Sequence, residues 1–140
     1  MLRAGWKMLI FQHLAFGLTA LALLPVRGAD APPQRAPVAQ FAPLLRAALD
    51  APGGTAHGVL AGPVAAAFKR QFGTGGEIDI DVSTIVRYAQ PGCARLRVDV
   101  SQAGVKLSTQ STPQRQQVRF ELNYCSDGLP PRSLATGAAR

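Results

Sequence analysis

Two cysteines, and the alternation that follows one and precedes the other, constrain this chain more than any other feature. After Cys93, Leu96, Val98 and Val100 alternate with Arg95, Arg97 and Asp99; before Cys125, Val118, Phe120, Leu122 and Tyr124 alternate with Arg119, Glu121 and Asn123. A period of two over that length marks a strand with one apolar face. If the two strands are antiparallel neighbours and Cys93 opposes Cys125, Leu96 faces Leu122, Val98 faces Phe120 and Val100 faces Val118. The same register sets Arg97 against Glu121 and Asp99 against Arg119. Each such pair is worth roughly 0.2–1 kcal/mol, and a one-residue slip would turn every apolar side chain outward. Cysteine position, core alternation and charge pairing thus agree on one hairpin closed by a disulfide.

A third strand precedes it. Ile78, Ile80, Val82, Thr84, Val86 and Tyr88 are all even-numbered, with Glu77, Asp79, Asp81, Ser83 and Arg87 between them; only Ile85 interrupts the polar face. Ala89-Gln90-Pro91-Gly92 has the composition of a tight turn. In the connection Gln102–Gln116, Val105 and Leu107 are odd-numbered, so the apolar phase flips near Ala103-Gly104, as a β-bulge would cause.

Upstream the period is helical. Val38, Phe41, Leu44, Leu45, Ala48 and Leu49 form one stripe, with Pro43 in the first turn and Ala51–Gly54 as the stop. Gly62-Pro63 opens a second helix over residues 63–72. Val64, Phe68 and Phe72 share one face, Lys69 and Arg70 complement the dipole, and Gly73 follows as a C-terminal cap. Val59-Leu60 is too brief to classify. The expectation is an α+β fold, two short helices packed on the even-numbered face of a three-stranded antiparallel sheet, with one disulfide.

The ends read differently. Residues 1–28 have the three parts of a secretory signal peptide: Arg3 and Lys7, the apolar run Leu14–Leu24, and Val26-Arg27-Gly28 before the cut. That run is short for a bilayer span, so no membrane span is expected after cleavage, and the compartment is the periplasm. Residues 29–37, with three prolines in Ala31–Pro37, read as a tether; 38–130 as the single domain; 131–140 as a flexible tail. The formal charge of +7 falls when the leader takes Arg3, Lys7 and Arg27 with it, leaving 12 basic residues against 8 acidic ones. With no Lys/Arg run and no interleaved aromatics, nucleic acid is excluded as a partner.

Little in the mature chain suggests catalysis. Cys93 and Cys125 lack the CxxC spacing, flanking histidine or helix N-terminus that activates a thiol, so a structural disulfide is expected. Glu77, Asp79 and Asp81 lie in a line along a strand, which suits a solvated face better than a metal. His57 sits in a glycine-rich stretch, and no serine lies in a nucleophile-elbow context. Gly73–Gly76 follows a helix, the reverse of a phosphate loop. No catalytic residue, metal ligand or cofactor is expected, and the chain is read as not an enzyme. The odd-numbered sheet face, with Ile85, Arg87, Arg95, Arg97 and Arg119 around the disulfide, is the expected docking face; Arg87 and Arg95 are its available charges.

Ala89–Leu96 (AQPGCARL) and Asn123–Pro131 (NYCSDGLPP), with Ala51–Gly54 and His57–Leu60 upstream, resemble segments of small exported proteins encoded among conjugative-transfer genes of Gram-negative bacteria. The resemblance covers about residues 50–134 and implies a periplasmic accessory role near a type IV secretion apparatus, with no catalytic residue to carry over. The functional expectation is a non-enzymatic interaction module with a protein partner in the envelope. The alternative is a small periplasmic inhibitor or ligand-binding protein that uses a loop such as Gln102–Gln116.

Overall fold

The structure is a computed structural model that describes residues 32–137; the leader expected over 1–28 lies outside the described residues. The elements run β1 (Ala36–Val38), α1 (Ala42–Asp50), β2 (Thr55–Leu60), α2 (Gly62–Gln71), β3 (Ile78–Arg87), β4 (Cys93–Val105) and β5 (Gln114–Cys125). All five strands form one sheet in the order β1-β2-β3-β4-β5. β1 and β2 are parallel, and every other pair is antiparallel. The class is α+β with a single disulfide, but the sheet has five strands where three were expected. β1 is only three residues long, and the buried face of β2 is Ala56, Gly58 and Leu60, side chains mostly too small for its alternation to reveal it.

The β4–β5 hairpin adopts the register the sequence implies. Cys93 opposes Cys125, Leu96 opposes Leu122, Val98 opposes Phe120 and Val100 opposes Val118. The Cys93–Cys125 disulfide is formed. A register shift lies between Gln102 and Val105, where Gly104 has φ +72°, a conformation that side-chain-bearing residues rarely adopt.

α1 covers one end of the even face. Leu44, Leu45, Ala48 and Leu49 are buried on it, above Ile80, Val82, Ala94 and Leu96 of the sheet. Pro43 lies in its first turn, as expected. The helix comes this close because β2 carries Gly58. A Cβ there would lie 2.5 Å from Leu44 Cδ1 and 3.1 Å from the Ala36 carbonyl oxygen.

α2 packs differently from the expected helix. Only Ala65 is buried, while Val64 and Phe68 remain 52% and 47% exposed. Its C-terminal end is tied to the far end of β4 by Lys106 N–H to the Phe72 carbonyl and by Thr74 Oγ1 to the Ala103 carbonyl. The Val64/Phe68 face therefore lacks the cover its periodicity suggests.

The ends of the domain also differ from expectation. Ala36 and Pro37 of the expected tether form β1 together with Val38, which was expected in the helical stripe, and Arg35 just before them is bonded to β3. At the other end, residues 131–137 include an ordered strap. Arg132 N–H donates to Gln90 Oε1, Ala89 N–H donates to the Ala135 carbonyl, and Thr136 bridges to Tyr88. The prolines of the tether and tail are tolerated because both segments lie at the margins of the sheet.

Candidate functional site

The residues expected to dock a partner are only partly brought together. A second register shift lies in β3: Thr84 opposes Leu96, but Val86 opposes Arg95 and Arg87 opposes Ala94. Ile85 is the extra residue, 38% exposed. Beyond it the alternation is inverted, so Arg87 leaves the odd face and donates to the Leu49 and Ala51 carbonyls at the end of α1. It caps that helix, where cationic donors are favoured.

The other arginines stay on the odd face, already paired. Arg97 and Arg95 both reach Glu121, at 3.2 and 2.9 Å, and Arg119 reaches Asp99 at 2.6 Å. The Arg97 and Arg119 pairs are those the register implies. Arg95, expected to be available, shares Glu121 instead. The disulfide is buried beneath its neighbours and contributes rigidity, not contact surface.

The same face holds a cluster whose members are far apart in the chain. His57 lies in β2, not in a loop, opposite Asp81 of β3. Its Nδ1 is 2.6 Å from Asp81 Oδ1, while Arg35 grips both Asp81 oxygens at 2.8 and 3.1 Å. Arg35 also donates to the Gly58 and Ile80 carbonyls and lies 3.6 Å from Asp79. Burial acts to raise the Asp81 pKa, but the bonds from Arg35 and His57 outweigh it and hold the carboxyl below its usual range. In a hydrolytic triad a His–Asp pair of this kind orients the imidazole toward a nucleophile on its other nitrogen. Among the described residues no such hydroxyl or thiol is bonded to His57. The cluster fastens the N-terminal edge of the domain to β3.

A depressed pKa stabilises the fold above the unfolded-state value, about 3.9, and that contribution is lost as pH falls through the folded-state value. Asp81→Asn should therefore lower stability at neutral pH by about 1 kcal/mol, a modest figure because the pair is partly solvated. The gap between variant and wild type should close as thermal melts are taken below pH 4. A gap of constant size down to pH 3 would show that the carboxylate is not the stabilising group.

A concavity lies on the opposite face, between α2 and the ends of β4 and β5. It is an apolar groove of about 600 Å³. It is lined by Val64 and Phe68 of α2, by Phe72 just after that helix, and by Phe41, Val100, Leu107 and Val118. Its polar residues, Gln40, Ser101, Gln102 and Gln116, bear no charge. Val118 and Leu107 are 63% and 64% exposed. Among the described residues nothing covers this lining, and concave apolar sites with a few polar groups are where ligands and partners bind. Sequence periodicity assigned Val64 and Phe68 to the core. The one signal pointing to the groove was Leu107, an apolar residue in a connecting loop.

Comparison with protein-family models, with curated proteins and with solved structures finds no match to this chain.

Proposed function

We propose that this chain is a non-enzymatic interaction module of the periplasm, whose groove between α2 and the sheet receives an apolar segment of a protein partner in the cell envelope. The single observation that carries the reading is the groove itself, formed by half-exposed Val64 and Phe68 facing Val118 and Leu107. A protein segment suits it because the lining is apolar and uncharged along α2 and the sheet, as an amphipathic segment laid into a groove requires. The sequence resemblance to accessory proteins of conjugative transfer supports placing the partner in a type IV secretion assembly. A disulfide suits the oxidising compartment to which the leader would deliver the chain.

A second reading rests on the groove's size. A volume of about 600 Å³ lies within the range of small-molecule sites, so an apolar metabolite or acyl chain is the alternative occupant. One experiment separates the two. A photo-crosslinking amino acid at Leu107, in cells carrying the secretion genes, should join the chain to one protein; the same probe at exposed Arg46 on α1 should not. Native mass spectrometry of the protein taken from the periplasm should then show the bare chain. A bound small molecule in that spectrum, with no Leu107 adduct, would replace the first reading with the second.

A further inference from the structure

The free edge of β5 carries information independent of the groove. In the antiparallel β4–β5 ladder, hydrogen-bonded and non-bonded pairs alternate. Ser126 N–H donates to the Gly92 carbonyl, whereas Cys125 N–H points away from β4, to the Leu129 carbonyl. Counting back by twos, the backbone groups of Asn123, Glu121, Arg119 and Gln117 all face the open edge. Among the described residues no other strand pairs with them. The strand is 12 residues long, contains no proline, and leaves Val118 and Phe120 63% and 43% exposed. Natural edge strands of that length are normally shortened, bulged, covered or guarded by charges; the central charges of this one, Arg119 and Glu121, are of opposite sign.

We infer that this edge pairs with β5 of a second copy, antiparallel about a two-fold axis at Phe120. The side-chain pattern selects that register. With Phe120 opposite Phe120 of the second copy, Arg119 lies opposite Glu121 on both sides of the axis, and Val118 lies opposite Leu122. Sliding the axis to Arg119 or Glu121 would oppose like charges. The backbone agrees with the choice. The Arg119–Glu121 pairs become the hydrogen-bonded ones, and Phe120–Phe120 the close non-bonded pair. Glu121, already near Arg95 and Arg97, is then surrounded by cations, and Arg119 gains a second carboxylate beside Asp99. A two-fold operator closes after two copies, so the product is a dimer with a ten-stranded sheet and not a fibre. The exposed parts of Val118 and Phe120 are covered in the process.

Cysteine cross-linking tests both the dimer and its register. A non-hydrogen-bonded pair sets its Cα atoms about 4.5 Å apart, within disulfide reach. Mature chain carrying Phe120→Cys, purified from the periplasm and oxidised, should run at twice its mass on a non-reducing gel. Val118→Cys alone should not cross-link, because in this register it lies four residues from its own copy; mixed with Leu122→Cys it should. Wild-type protein should sediment as a dimer, and Arg119→Glu, which sets two carboxylates face to face, should shift it to monomer. Phe120 and Val118 are exposed, so folding is not at issue for those two variants; Leu122 is partly buried, and a thermal melt of Leu122→Cys checks its fold before mixing. A monomeric wild type, or cross-linking of Val118→Cys in place of Phe120→Cys, would overturn the inference. Val118 borders both sites, but Phe120→Cys and Arg119→Glu change no residue of the groove lining, so failure of the dimer leaves the groove reading standing, and the reverse holds as well.

Discussion

Replacing both Cys93 and Cys125 by alanine should lower the stability of the domain by about 3–4 kcal/mol. The bridge spans a sequence separation of 32 residues, and closing a loop of that length removes about this much entropy from the unfolded chain. For a domain of this size the loss amounts to a melting point lower by about 12–30 °C. The damage should also be local. β5 is an edge strand held by β4, with only a few contacts to α1, so amide exchange should rise first along Gln114–Cys125. Thermal melts and hydrogen exchange of the oxidised, reduced and alanine forms check both parts. A melting point within a few degrees of wild type would show that the hairpin register alone holds β5 in place.

The second large effect concerns binding. Val64→Asp combined with Phe68→Asp should weaken capture of the partner at least ~30-fold, the loss typical when a central aromatic contact of an interface is removed. The same double variant should melt within a degree or two of wild type, because both side chains are about half exposed and α2 is held through Ala65 and its C-terminal bonds. That combination separates a binding face from a core face. Were the expectation from periodicity correct and the stripe structural, the two aspartates would unfold the helix. Capture at the wild-type level by a stably folded variant would move the docking site off the groove.

The odd-numbered face is a poorer candidate than its sequence suggested. Four of its expected five residues are engaged or displaced. Arg95 and Arg97 share Glu121, Arg119 holds Asp99, and Arg87 caps α1 on the other side of the sheet. Ile85 alone is unengaged, and it owes its position to the bulge. Charges paired in this way still shape the edge of β5, where Arg119 and Glu121 define a self-complementary pattern. Within the chain, that face helps to set the register of β4 and β5.

What the sequence determined by itself was everything encoded by local period and by one pair of cysteines. The β4–β5 register follows from alternation, because a two-residue period commits each side chain to a face and a slip of one exposes the whole set. The positions of α1 and α2 follow from proline and glycine signals that act within a turn. The bulge at Gly104 was legible because the apolar phase visibly flips there. The bulge at Ile85 was marked only by that residue's interruption of the polar face; Val86 and Tyr88 keep the even phase while the backbone shifts, so the change of face at Arg87 was not legible.

Tertiary structure alone decided the rest, since it depends on which face meets which. β1 is too short, and the buried face of β2 too small in its side chains, to announce either strand, and both exist only by pairing in sequence with the edge of β3. Arg35, His57 and Asp81 become one cluster because that pairing brings together residues up to 46 positions apart. An amphipathic stripe states that a face is apolar, not that anything will cover it. α1 finds the sheet, whereas α2 is held at its ends and leaves Val64 and Phe68 over a groove. Burial is a property of the assembled layers, and a local period carries no information about how far a neighbouring element extends.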